Sequence, residues 1–572
     1  MKKKLLFIAL LMISLVLVGC ASTTNSGNNG DVNSVSGTEV SGNTVDVDIA
    51  TDVVTSSFSL SSEDGTVINP VNGIYTITTE GTYIAKGKLE EGQIYVDAPS
   101  QKVEIELEDV SISNSSVSPI FVKDCDTVTI KVKKGTTNYI YDNRTTDYSD
   151  STDEAIGLAA IYVANGDLNI SGKGTISIIS NYNSGIHGKD NVTIKNCTML
   201  IKAMNNGIKG NDKVTIEENP TIGIVCGNNG IKTSNSSTGS SSQHGYIYIK
   251  GGTITINSYG DGIDAAYAVV FDTSTDSDGN VYTPVVDIYT NKYSSYTKVS
   301  EESTESTLVT LGGPGGPGGP GGGPGGGFNG GGFGGGSSAE KADDSAKGIK
   351  ANEEIVINAG KIFIYAYDDG IHTNNDELDN GVTAKANINI NGGEISIKAS
   401  DDGIHADGTL TISDGTIIIS ESHEGLEAKI INITGGTVST NADDDGVNAS
   451  SAINVSGGLL DVTVSPNGDT DGIDSNGTVT ISGGIIITRG PNSEMAAPLD
   501  ADKTMSMTGG ILIVVGYTPR KLSTNLTKSS SSSGLSSGLH TVTIGSQTIT
   551  FNNSTTYKGA CTVYASSSAT IK

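Results

Sequence analysis

Apolar and polar positions alternate with a period of two along most of this chain. Residues 101–112 read QKVEIELEDVSI, residues 127–135 TVTIKVKKG, residues 408–413 GTLTIS and residues 415–420 GTIIIS. Such alternation, bounded by Gly, Asn and Asp, predicts short β-strands with one buried face. It begins near Val45, and the chain beyond the N-terminal apolar run shows no convincing helical pattern.

The strands belong to a repeat. A glycine flanked by an acid or amide recurs at Gly185, Gly207, Gly230 and Gly262, then at Gly348, Gly370, Gly403, Gly425, Gly446 and Gly472. The intervals are 22, 23 and 32 residues, then 22, 33, 22, 21 and 26. One unit of about 22 residues holds two or three short strands and cannot bury its apolar face alone, so successive units must stack. The expected fold is all-β, a parallel β-helix (solenoid) in which the longer intervals are one coil plus a loop. Residues 51–150 are expected to supply an N-terminal β cap and the first coils, residues 151–510 the helix proper, and residues 511–572 a C-terminal β cap over the last open edge.

Composition fits small coils: 75 glycines, 5% aromatic residues and no Trp in 572 residues. Residues 312–338 are almost pure Gly and Pro, a density that forms no core, so an excursion without fixed structure is expected over about 300–345. Lys2, Lys3 and Lys4 precede an apolar run from Leu5 to Val18 and then LVGC. A basic start and a short apolar stretch predict an export signal rather than a membrane span. LVGC resembles the bacterial lipobox, which implies cleavage before Cys20, lipidation of its sulfur and residues 21–50 as a polar tether; ordinary signal cleavage nearby is the alternative. The chain is thus expected outside the cytoplasm, anchored to the cell membrane by lipid alone. Cys125, Cys197, Cys226 and Cys561 are too scattered for a disulfide framework and read as buried small hydrophobes, with a Cys197–Cys226 bridge as the other option.

The formal net charge is −29, from 64 acids against 35 bases. That argues against nucleic acid and points to cations, or to anionic partners reached through cations. The acids gather at the repeated glycine. Just before it stand Ser184, Asn206, Asn229, Asp261, Lys347, Asp369, Asp402, Glu424, Asp445 and Asp471 (the first position). Two residues after it stand His187, Lys209, Lys232, Asp264, Lys350, His372, His405, Glu427, Asn448 and Asp474 (the second position). Asp368, Asp401, Asp444 and Asp469 lie alongside. Asp-Gly and Asn-Gly favour tight turns, and glycine allows a positive φ. Since Asn206 and Asn229 serve equally, the later charge calls for another reason. Carboxylates about 4.8 Å apart on adjacent coils repel by about 3 kcal/mol at an effective dielectric near 20. A divalent cation relieves this, and Ca²⁺ accepts such an all-oxygen set. The metal candidates are Asp368, Asp369, Asp401, Asp402, Glu424, Glu427, Asp444, Asp445, Asp469, Asp471 and Asp474. A solvated acidic turn is the plain alternative, and Zn²⁺ on His372 and His405 a third.

Stacked DDGI turns in an acidic exported chain resemble the clostridial carbohydrate-binding β-helix lipoproteins, related in fold to pectate lyases, over about residues 81–510. The resemblance implies a right-handed parallel β-helix that binds Ca²⁺ and acidic or cellulosic plant polysaccharide. In one pectate lyase group the Ca²⁺ site is an Asp-Asp-x-x-Asp turn with an Asp of the preceding coil. Here Asp471 and Asp474 match with Thr470 in place of the first Asp, and Asp445 lies in the coil before. Asp444 and Asp445 match with Asn448 last, backed by Glu424 or Glu427, and Asp401 and Asp402 with His405 last, backed by Asp369.

The expected function is to bind polygalacturonate-like plant cell-wall polysaccharide through bridging Ca²⁺, with Lys209, Lys232 and Lys350 as direct carboxylate partners. Without Trp, acidic sugar suits the chain better than a neutral glycan on a flat aromatic platform. A calcium-dependent lyase acting by β-elimination is the first alternative; it needs a base, for which Lys429, Lys350 and Lys209 are candidates. A calcium-stabilised adhesin or structural surface protein is the second.

Overall fold

The computed structural model describes residues 32–33, 54–145, 154–237, 244–290 and 345–572. The expectations for the export signal, Cys20, most of the tether and the Gly/Pro-rich excursion fall outside these residues.

Alternating Ile, Val and Thr form strands as predicted, and 37 of them join one continuous sheet wound into coils. Each coil strand pairs in parallel with its counterpart one coil earlier and one coil later. Ile186 faces Ile208, which faces Ile231, Ile263, Ile349, Ile371, Ile404, Leu426, Val447 and Ile473 in turn. All ten are buried, so one aliphatic side chain per coil stacks into the core. Register passes unbroken from Ile263–Ala265 to Ile349–Ala351 across residues 291–344.

The repeated glycine has a different cause from the one its turn chemistry suggests. None of the ten takes a positive φ. Instead the next coil lies against the Cα: a Cβ on Gly230 would stand 2.3 Å from Ile256 Cγ2 and 2.5 Å from the Gly262 carbonyl oxygen. Gly262, Gly348 and Gly370 meet the same pair of neighbours one coil on. Glycine is required because backbone packs on backbone.

At the N-terminal end Ser59–Ser62 runs antiparallel to Gly81–Leu89, and parallel pairing starts with Ile74–Ile77 against Gln93–Asn114. At the other end Leu522–Thr524 still pairs in parallel, after which Ala560–Ala565 closes antiparallel on Ile511–Gly516. A separate sheet, which includes Gly538–Ile544 and Gln547–Asn553, adds a second small core. Cys125, Cys197, Cys226 and Cys561 are buried free thiols, pushed up to about 12 by burial, and Cys197 and Cys226 form no bridge.

Candidate ligand-binding row

The second positions stand in exact coil-to-coil register, so their side chains form one row along the sheet. His187, Lys209, Lys232, Asp264, Lys350, His372, His405, Glu427, Asn448 and Asp474 follow one another. The register extends the row N-terminally through Tyr162, Phe121 and Tyr95. Those rings stack at 5.5 and 5.4 Å between centroids, and Tyr162 meets His187 edge-on at 5.3 Å. Sequence reading missed this aromatic end because those coils lack the glycine used to align the repeat.

First positions do half their work for the fold. Asn229 Oδ1 accepts the backbone N–H of Asp261 (2.8 Å), and Asp261 Oδ1 that of Lys347 (2.8 Å). Asp369 likewise accepts from Asp402 (3.0 Å), Asp402 from Glu424 (3.2 Å), Asp445 from Asp471 (2.7 Å), and Asp471 from Ala497. Each short side chain therefore ties its coil to the next, which is why Asn serves as well as Asp. The second carboxylate oxygen remains, and its fate divides the row.

From Lys347 to Glu427 the protein supplies its own cations. Lys347 Nζ bridges Asp368 (2.9 Å) and Asp369 (2.5 Å). His372 Nδ1 sits 2.5 Å from Asp369, and His405 Nδ1 3.0 Å from both Asp402 and Glu427, with Asp407 3.3 Å from its Nε2. Burial would lower the His405 pKa, but hydrogen bonds to these carboxylates outweigh it and hold the ring protonated, at about 12. Burial would raise Asp369, yet its bonds to His372 and Lys347 pull it well below the usual carboxylate range. His372 and His405 stack nearly parallel at 4.4 Å. Among the described residues, the metal-ligating atoms of Asp369–His372–His405, of Asp402–His405–Glu427 and of Asp368–Asp369–Asp401 each lie within 4.8 Å of one another. Each already contains or touches a side-chain cation, so compactness alone does not mark a metal site here.

The next coils differ. Among the described residues no ion pair reaches Glu424, Asp445, Asp471 or Asp474. Burial, then Glu427 and Asp402, push Glu424 up to about 8; its Oε1 accepts from Asn448 (3.1 Å), and its Oε2 is buried without a hydrogen-bond partner. Burial and neighbouring acids raise Asp471 to about 7 and Asp445 to about 6, and also raise Asp474. These carboxylates and the Asn448 amide are oxygen donors of the kind Ca²⁺ accepts, although none of the compact groups includes Glu424, Asp445, Asp471 or Asp474. Of the other candidates, Asp401 and Asp469 are exposed, and Asp444 lies 3.7 Å from His423.

The three lysines are less free than expected. Lys232 pairs with Asp264. Lys209 is largely buried, and burial with nearby Lys232 lowers its pKa. Lys350 lies between Asp264 and His372 in the row.

Stacked parallel coils carrying one row of titratable side chains define an all-β protein built to present repeated groups along a line. The chain matches the family model described as carbohydrate-binding domain-containing protein over residues 71–381, 375–425 and 426–571, and belongs to that family. A carbohydrate-binding domain-containing protein of Acetivibrio thermocellus is 31% identical over 193 residues, which is 34% of this chain and 62% of that relative's length. A solved polysaccharide lyase-like protein from C. thermocellum, studied as a gadolinium derivative, shares 30% identity over 39% of this chain and 86% of its own, with a TM-score of 0.34.

Proposed function

We propose that this protein binds an acidic, polygalacturonate-like plant polysaccharide along the row, through Ca²⁺ held by Glu424, Asp445, Asp471 and Asp474. The observation that carries this reading is a run of carboxylates, Glu424, Asp445, Asp471 and Asp474, that no protein cation meets among the described residues, directly beyond Asp369, Asp402 and Glu427, which have one. Its family membership supports a saccharide as the ligand. Divalent cations would neutralise these acids and share coordination with sugar carboxylates. Asp444 and Asp469 would line the rim, and Lys350 is the lysine best placed to meet a sugar carboxylate directly.

Calorimetric titration of polygalacturonate tests this. Tight binding is expected with Ca²⁺, to weaken at least tenfold in excess chelator, and to weaken as much with Ca²⁺ present in Asp445→Asn/Asp471→Asn. Binding indifferent to both would sink the calcium reading. No unsaturated product is expected in the ultraviolet, since Lys429, the lysine nearest the densest acids in sequence, is exposed; rising absorbance that is lost on substituting Lys429, Lys350 or Lys209 with Ala would make the protein a lyase.

Proton linkage gives a second test. Glu424, Asp445 and Asp471 have folded-state pKa values above their unfolded ones, so the folded chain binds protons more tightly and loses stability as pH rises. In chelator the melting temperature should fall between about pH 5 and pH 8; His405, held protonated, adds to the fall above about pH 6.5, and Ca²⁺ should remove the part that Asp445→Asn/Asp471→Asn also removes. A melting temperature flat across this window in chelator would contradict the assignment.

We propose further that the chain is exported and held at the outer face of a bacterial membrane by lipid on Cys20. Labelled palmitate should enter the parent protein and not Cys20→Ala.

A further inference from the structure

The acidity of this chain stops abruptly. After Asp502 there is no Asp or Glu, while Lys503, Arg520, Lys521, Lys528, Lys558 and Lys572 follow. Topology puts part of this basic segment at the end of the row. Backbone bonds from Gly472 to the Ala497 carbonyl and from Asp500 to the Ile473 carbonyl add one more rung after Asp474, at Asp500. In the next coil residues 517–521 run between Ile511–Gly516 and Leu522–Thr524, where the row strand lies in the coils before.

Here a groove of about 720 Å³ opens, lined by Tyr517, Arg520, Leu522, Leu526, Lys528 and Tyr564 among others. The Arg520 guanidinium lies 5.2 Å from the Tyr517 ring centroid, and Lys528 Nζ 5.7 Å from that of Tyr564. The phenol oxygen of Tyr517 is buried and without a hydrogen-bond partner among the described residues. The carboxylate partner of Arg520 is Glu494, at 3.4 Å, with both side chains about 70% exposed; such solvent-screened pairs hold their partners weakly. No described carboxylate reaches Lys528. Two cations therefore share this groove with aromatic and aliphatic side chains at the end of an acidic row.

We propose that this groove is a second, metal-independent site that takes a uronate residue of an acidic glycan. Its carboxylate lies between Arg520 and Lys528, and its ring against Tyr517 and Leu522. A guanidinium suits a carboxylate through paired N–H donors. The aromatic and aliphatic lining favours a sugar ring over a bare inorganic anion. The choice of uronate rests on the acidic-glycan reading of the row, but the groove itself needs no Ca²⁺.

Trigalacturonate titrated into the protein in excess chelator separates the two sites. Binding is expected to persist in chelator, to weaken at least tenfold in Arg520→Ser/Lys528→Ser, and to be unchanged in Asp445→Asn/Asp471→Asn. Both substituted cations are exposed, so the variant should fold, with an unchanged melting temperature as the check. Absence of binding in chelator, binding indifferent to the cation variant, or equal binding of neutral cellotriose would overturn the groove assignment. Loss of Ca²⁺-dependent polygalacturonate binding while trigalacturonate still binds in chelator would sink the calcium row alone.

Discussion

Arg144→Ala is expected to destabilise the N-terminal coils by about 3–5 kcal/mol, the cost of leaving a buried charge without its partner. Arg144 and Asp142 are 2% and 0% exposed, and the guanidinium grips the carboxylate with both arms, Nε to Oδ1 at 2.7 Å and Nη2 to Oδ2 at 2.6 Å. Its Nη1 donates to the carbonyls of Ile156 (3.0 Å) and Gly157 (2.7 Å), and the group lies 4.0 Å above the Tyr182 ring. The clamp thus seats the segment leading to Ala159, which packs with Phe121 and Tyr162 at the aromatic end of the row. Chemical denaturation with amide hydrogen exchange over Ala159–Val163 would read the effect. Asp142→Leu/Arg144→Met, which removes both charges, should recover most of the loss. A change below about 1 kcal/mol in Arg144→Ala would mean that water reaches Asp142.

Gly370→Ala is expected to cost about 1–3 kcal/mol, and Gly370→Val more, because the added atoms have no room to enter. A Cβ there would stand 2.5 Å from both the Gly403 carbonyl oxygen and Ile397 Cγ2. The backbone of the next coil would have to move, and with it the N–H of Gly370 that donates to the Asp402 carbonyl at 2.8 Å. Repeat stacks respond through nearest neighbours, so exchange protection should fall at Ile371–Thr373 and Ile404 and hold at distant coils. Uniform loss, or none, would contradict this packing account.

The repeat, its coil length and the row residues were legible in the sequence, because one residue per coil must point each way and a glycine marks the place. Why that glycine is present was not legible. Turn chemistry explains Asp-Gly locally, whereas the true constraint comes from a carbonyl of the next coil, as far along the chain as Gly403 is from Gly370 or Gly348 from Gly262. The split of the acids was half legible. Lys347 stands in the aligned column where its neighbours are acidic, and His372 follows Asp369 by three residues. The role of Lys347 as a built-in counter-charge appears only when Asp368, Asp369 and Lys347 meet across coils. Three arginines, Arg144, Arg489 and Arg520, follow no repeat and so offered no pattern to read. In fact Arg144 and Arg489 are among the largest fully buried side chains, each paired with a buried Asp.

Exact register from coil to coil has a consequence for how such a protein changes over generations. Excising residues 403–424, a span of 22, would bring Gly425 to the place of Gly403 and lift out one rung, while every other rung kept its neighbours' geometry. An in-frame duplication of the same stretch would add one. The length of the row is therefore set by copy number, and a lineage can lengthen or shorten it while the stacking of backbone on backbone stays the same.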